Sequence, residues 1–77
     1  MSLTADIDAS GVSDHYTVNN TFVTNDSIII MNCTGNEKIQ VHLYGVVTDE
    51  WKFFIVNSSD SKILEDSDIN FNFIVIN

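Results

Sequence analysis

Cys33, His15 and His42 carry the side chains in this chain best suited to attack a carbon, hold a metal or move a proton. A hairpin could bring Cys33 towards His42 as a thiol–imidazole pair. No third residue is placed to orient the imidazole, and no nucleophile signature surrounds Cys33. Zinc asks for three or four converging ligands, and Cys33 is the only thiol. The plainer expectation is an unreactive or buried thiol and two solvated imidazoles. The other candidate is the run from Asp6 through Asp8 to Gly11, which begins like a calcium loop. Asp14 falls at its ninth position, but Thr17 stands at the twelfth, where such a loop needs a bidentate Glu. The second acidic cluster, Asp66-Ser67-Asp68-Ile69-Asn70, lacks a glycine and leads into an apolar run, as a strand-entry turn does. Three single glycines make no phosphate-binding loop. The residues therefore predict no enzyme, no metal and no cofactor.

Charge narrows the partners. Eleven Asp and Glu against three Lys and Arg give a net charge of −8. Sequence-independent nucleic-acid binding needs cations against phosphates, so no nucleic-acid partner is expected. Anionic membrane surfaces are disfavoured for the same reason. The apolar runs at 28–31, 53–56 and 73–76 are far shorter than the roughly 18 residues of a membrane span, so direct membrane insertion is not expected. A solvated acidic surface is the simplest reading of the charge. The alternative is a small acidic cytoplasmic inhibitor, a nucleic-acid mimic or phage-type protein, that blocks a basic cleft. Carboxylates spread among turns favour a plain module, whereas carboxylates aligned on one face favour the mimic.

The elements that must position these groups follow a period of two. Ile39, Val41 and Leu43 alternate with Gln40, His42 and Tyr44, and Ile69, Phe71, Phe73 and Val75 alternate with Asn70, Asn72, Ile74 and Ile76. Successive strand residues point to opposite faces, so this pattern builds a sheet with one inner face. Strands are expected at 16–23, 27–32, 38–44, 51–56, 62–64 and 69–77, with turns at 33–36, 57–61 and 65–68 rich in Gly, Asn, Asp and Ser. Such spacing predicts an all-β chain, a sandwich or a small barrel, with a small antiparallel β-sandwich of about six to seven strands as the leading expectation. Residues 1–14 read as a polar N-terminal arm, and 15–77 as one β-sandwich domain. Ile39, Val41, Leu43, Phe71 and Phe73 are expected in the core, with Gln40 and His42 outward.

Two surfaces stand out as binding candidates. Lys52, Phe54 and Val56 share the strand face opposite Trp51, Phe53 and Ile55, which leaves Phe54 covered by something or exposed as an apolar patch. Trp51, Phe53, Phe54, Tyr44 and Tyr16 could together form a sugar-binding platform, but a chain this short needs such rings in its core. The last strand is apolar on both faces through Ile74 and Ile76, and such a strand must be covered on both sides. With no proline and few cations to guard its edges, the chain is expected to bind a protein partner or itself through a strand edge. Asn-x-Ser/Thr triplets at Asn19, Asn25, Asn32 and Asn57 add modest support for an extracytoplasmic or cell-surface location.

The stretch 26–77 resembles the small immunoglobulin-like sandwich domains of bacterial and archaeal surfaces. It is similar to cell-adhesion-related domains and to the soluble domains of archaeal pilins and archaellum accessory proteins. The likeness lies in Ile28-Ile29-Ile30-Met31-Asn32-Cys33-Thr34-Gly35-Asn36-Glu37-Lys38-Ile39, a strand with an Asn-Thr-Gly-type turn. It continues in Lys62-Ile63-Leu64-Glu65-Asp66-Ser67-Asp68-Ile69 before the last strand. Cys33 inside the first turn, and Asp66-Ser67 in place of Pro-Gly, depart from that pattern. The resemblance implies an immunoglobulin-like fold and a non-enzymatic interaction or structural module, and it transfers no site residue.

Overall fold

The computed structural model describes residues 1–34 and 38–77. They form β1 (Tyr16–Asn19), β2 (Ile28–Thr34), β3 (Ile39–Val47), β4 (Glu50–Asn57) and β5 (Asn70–Ile76), all pairing antiparallel. One sheet runs β1-β4-β3 and the other β2-β5. The all-β, two-sheet architecture expected from the alternation is present, with five strands rather than six or seven. The expected strand at 62–64 shrinks to one bridge, Ile63 opposite Ile7, and the first strand stops at Asn19 instead of Val23. Part of the turn expected at 33–36 lies outside the described residues, while Cys33 and Thr34 belong to β2.

β4 is the central strand because its alternation is strict. Trp51, Phe53, Ile55 and Asn57 are buried on one face, and Lys52, Phe54 and Val56 lie on the other. Each fully buried apolar side chain contributes about 1.5–3 kcal/mol. The second sheet meets this row with Ile29, Met31 and Cys33, which stand opposite Val75, Phe73 and Phe71. Ring contacts join the layers: Trp51 to Phe73 at 5.0 Å, and Phe53 edge-on to Phe71 at 5.1 Å.

Within β3, Tyr44 is an extra residue: Leu43 opposes Phe53 and Gly45 opposes Lys52, so a bulge restores the inward phase at Val46. The β3–β4 hairpin turns on Thr48-Asp49, with Asp49 in the left-handed region at φ 69°. The β1–β2 connection clamps this tip. Asp49 N–H donates to the Val23 carbonyl at 2.9 Å, and the Asn25 side-chain oxygen accepts from Thr48 N–H at 2.9 Å.

The core differs from the alternation reading in two places. Ile39 is buried, Val41 and Phe71 are half-buried against the core, and Gln40 and His42 point out, as expected. Leu43 is 40 % exposed and Phe73 47 % exposed. Their strands have the phase predicted; the opposing layer does not extend over them.

The segment read as an arm, 1–14, is bound along the two sheets. Leu3 and Ile7 are buried in the core, and backbone bonds tie Leu3 to Ser67 and Ile7 to Ile63. Asn57, fully buried, fixes the same segment. Its amide donates to the carbonyls of Ile7 (3.2 Å), Asp8 (3.1 Å) and Ser61 (2.8 Å), while its oxygen accepts from Ser59 N–H and Oγ. With that amide fully engaged, Asn57 is not open to a glycan in the folded chain.

Candidate interaction surfaces

β2 and β5 contain no Asp, Glu, Lys or Arg, in a chain of net charge −8. Their inner residues enter the core, so the outer face is left to the alternate set. Ile28 stands opposite Ile76 and Ile30 opposite Ile74, followed by Asn32 opposite Asn72. The four isoleucines are 59, 44, 51 and 59 % exposed respectively. Phe22, 75 % exposed, adjoins the Ile28–Ile76 end, where the Asn77 side chain donates to its carbonyl. Ser27 Oγ donates to Asn77 Oδ1 beside it. Both expected residues, Ile74 and Ile76, therefore belong to a larger apolar surface that also takes in Ile28 and Ile30. The isoleucine run at 28–30 carried that signal in the sequence, but only the β2–β5 register reveals which two of the three face outward.

The outer face of the other sheet carries Lys52, Phe54 and Val56. Phe54 is half-buried because both histidines of the chain flank it. His42, its cross-strand partner on β3, stacks at 5.4 Å and 14°, and His15 lies at 5.8 Å. Tyr44, the bulge residue, stacks on His15 at 3.9 Å. Val56 bridges to Val12 as the N-terminal segment passes. The sequence reading of this face missed His15, which precedes β1, and His42 and Tyr44, which β3 contributes. Trp51 and Phe53 are buried in the core, so they take no part in an exposed ring platform.

A third surface lies between the layers. Tyr16, Val18, Met31, Phe53, Phe71 and Phe73 line a groove of about 670 Å³ that opens between β1 and β5. It explains the exposure of Phe73, whose side chain forms part of its wall.

The groups with chemical potential do not converge. Cys33 faces the core and His42 the opposite surface of its own sheet, so they form no pair. Burial pushes the Cys33 thiol above its ordinary range. Asp6 accepts from Glu65 N–H at 2.6 Å, and the Lys62 ammonium lies 4.0 Å from Asp6 and 3.9 Å from Asp8. No group of three or more His, Cys, Asp or Glu able to hold a metal occurs among the described residues. Among the described acidic residues, Glu50 alone sits in a strand; the others occupy turns and the N-terminal segment.

No protein-family model matches the chain, and no curated protein or solved structure matches it either.

Proposed function

We propose that this chain is a non-enzymatic interaction module, an immunoglobulin-like sandwich of an extracytoplasmic or cell-surface protein, and that it associates through the outer face of β2–β5. One observation carries this reading: four paired, exposed isoleucines on a face without a single charge. Contiguous exposed apolar surface of this kind usually marks a contact. The partner that fits best is a second copy. Two chains of like charge can approach here because β2 and β5 carry no carboxylate. The scatter of carboxylates among turns and the N-terminal segment supports the module over the nucleic-acid mimic.

The face is small. Two seven-residue strands span roughly 23 Å at about 3.3 Å per residue. A specific interface buries roughly 800 Å² per partner, so this dimer belongs at the weak end of the range. Sedimentation velocity of the parent and of Ile74→Lys tests it. The parent should shift to dimer at high micromolar concentration, and the variant should stay monomeric with an unchanged circular dichroism spectrum. A parent that remains monomeric throughout that range overturns the association. Protease shaving of intact source cells tests the compartment, since an internal protein would survive it.

A further inference from the structure

Among the described residues β5 pairs with β2 on one edge only, and the groove runs along the other edge. The first sheet has three strands and the second two. β2 lies beside β3, so the empty third position of the second sheet falls over β1. That vacancy is what leaves Tyr16, Val18, Phe71 and Phe73 incompletely covered.

Residues 1–3 already begin a strand at this position. Ser2 bridges Asp68 antiparallel, and Leu3 N–H donates to the Ser67 carbonyl at 3.0 Å. Ile69 N–H donates to the Met1 carbonyl at 2.7 Å, and the Met1 nitrogen donates to the Ile69 carbonyl at 2.7 Å. Both backbone groups of Ile69 thus point to this edge. Alternate residues of a strand direct their backbone groups to the same edge. Phe71, Phe73 and Val75 therefore present N–H and C=O to the groove side. The Asn70 carbonyl turns the opposite way, towards β2, where the Thr34 hydroxyl reaches it at 3.5 Å.

Side chains follow the same parity. Directly opposed residues of an antiparallel pair point to one face, so Ser2 and Asp68 are both exposed, while Ile69, opposite Met1, and Leu3, two residues on from Met1, turn to the buried side. A strand continuing this line along β5 would set every second side chain between the floor, Tyr16 and Val18, and the wall, Phe71 and Phe73. Its remaining side chains would face solvent on a protein of net charge −8, beyond Asp68, whose carboxylate is already paired with the Met1 ammonium at 3.4 Å.

We propose that the groove accepts a single extended peptide segment from another polypeptide, which adds to β5 as an antiparallel third strand. Its alternate side chains are apolar, and those between them are neutral or basic. The site is one strand wide, because β1 is the last strand beneath it. A sheet edge from a second copy would drive its own second layer into β1. The backbone edge and the apolar pockets of this site lie away from the outward side chains of Ile74 and Ile76, so it is tested separately from the association proposed above. The mode is strand addition, in which main-chain bonds give affinity and alternate pockets give specificity.

The probe is a capped seven-residue peptide of alternating valine and lysine, matched in length to β5 and titrated into the full chain by calorimetry. It should bind roughly tenfold or more tightly than a peptide of the same composition with its valines in one block. Methylating the peptide nitrogens that face β5 should abolish binding, while methylating the alternate nitrogens should not. Amide hydrogen exchange should slow selectively at Phe71, Phe73 and Val75. Ile74→Thr should bind normally, and Val18→Lys should not bind. Equal binding of the two valine–lysine peptides, no binding at all, or protection elsewhere than these three amides overturns the proposal. So does loss of binding in Ile74→Thr with its fold intact. The exchange pattern on the parent decides the matter even if Val18→Lys fails to fold.

Discussion

The Trp51 indole N–H donates to the Met31 sulfur at 3.1 Å, a side-chain hydrogen bond that crosses from one sheet to the other. Trp51 is fully buried, so its single donor has no water to fall back on. Met31→Leu keeps the volume and removes the acceptor. Urea unfolding should show a loss of about 1 kcal/mol, the low end for an orphaned donor because sulfur accepts weakly. Unchanged stability would mean that packing alone holds the indole.

Asn57 is fully buried too, and its side chain is more heavily committed. Asn57→Ala removes the donor to three carbonyls, including those of Ile7 and Asp8 that hold the N-terminal segment. The expected cost is about 3 kcal/mol. Limited proteolysis of the variant should cut first within residues 8–14, and a cut elsewhere would show that other contacts anchor the segment.

Asp49 tests the hairpin tip, where the backbone sits in the left-handed region. Asp49→Val should lose about 1–2 kcal/mol, because a β-branched side chain opposes that conformation. Asp49→Gly should stay within about 0.5 kcal/mol of the parent, the relief being offset by a freer unfolded chain. Thermal melts of the two variants check the sign, and equal melting would show that the tip adjusts its φ.

Cys33 gives a pH prediction. Burial raises its thiol pKa, so at neutral pH its thiolate fraction is below that of a free cysteine. Alkylation by iodoacetamide should be slower than for a model thiol and should accelerate only above the ordinary thiol range. Stability linked to this group is fully present below the unfolded thiol pKa. It is lost as pH rises, because the unfolded chain ionises first. Alkylation at the model-thiol rate at pH 7 would contradict the burial.

Alternation made the strands and their faces legible, and Gln40, His42, Ile39 and Trp51 all lie where period two puts them. Exposure was not legible, because it depends on the opposite layer. Leu43 and Phe73 have the inward phase and still meet solvent where that layer ends. Leu3 and Ile7 were hidden for the reverse reason: isolated aliphatics among polar neighbours show no period, yet each fills a gap between sheets. The Phe54 surface could not be assembled from the sequence, since His15 and Tyr44 reach it through cross-strand register and a one-residue bulge. On the β5 surface Ile74 and Ile76 were readable, and their partners Ile28 and Ile30 needed the pairing.

The partner of β2 is the last strand of the fold. Thr34 and Asn70, at the near end of that ladder, are already 36 residues apart in sequence. On the ribosome, β2 emerges well before β5 exists to cover it. During that interval the nascent chain displays an uncharged, isoleucine-rich segment without proline, the kind that pairs readily with its own copies. The β3–β4 hairpin, which is local, can form in the meantime, but it does not supply the missing pairing. Yield in overexpression should therefore be set by translation speed and chaperone supply more than by the stability of the finished molecule.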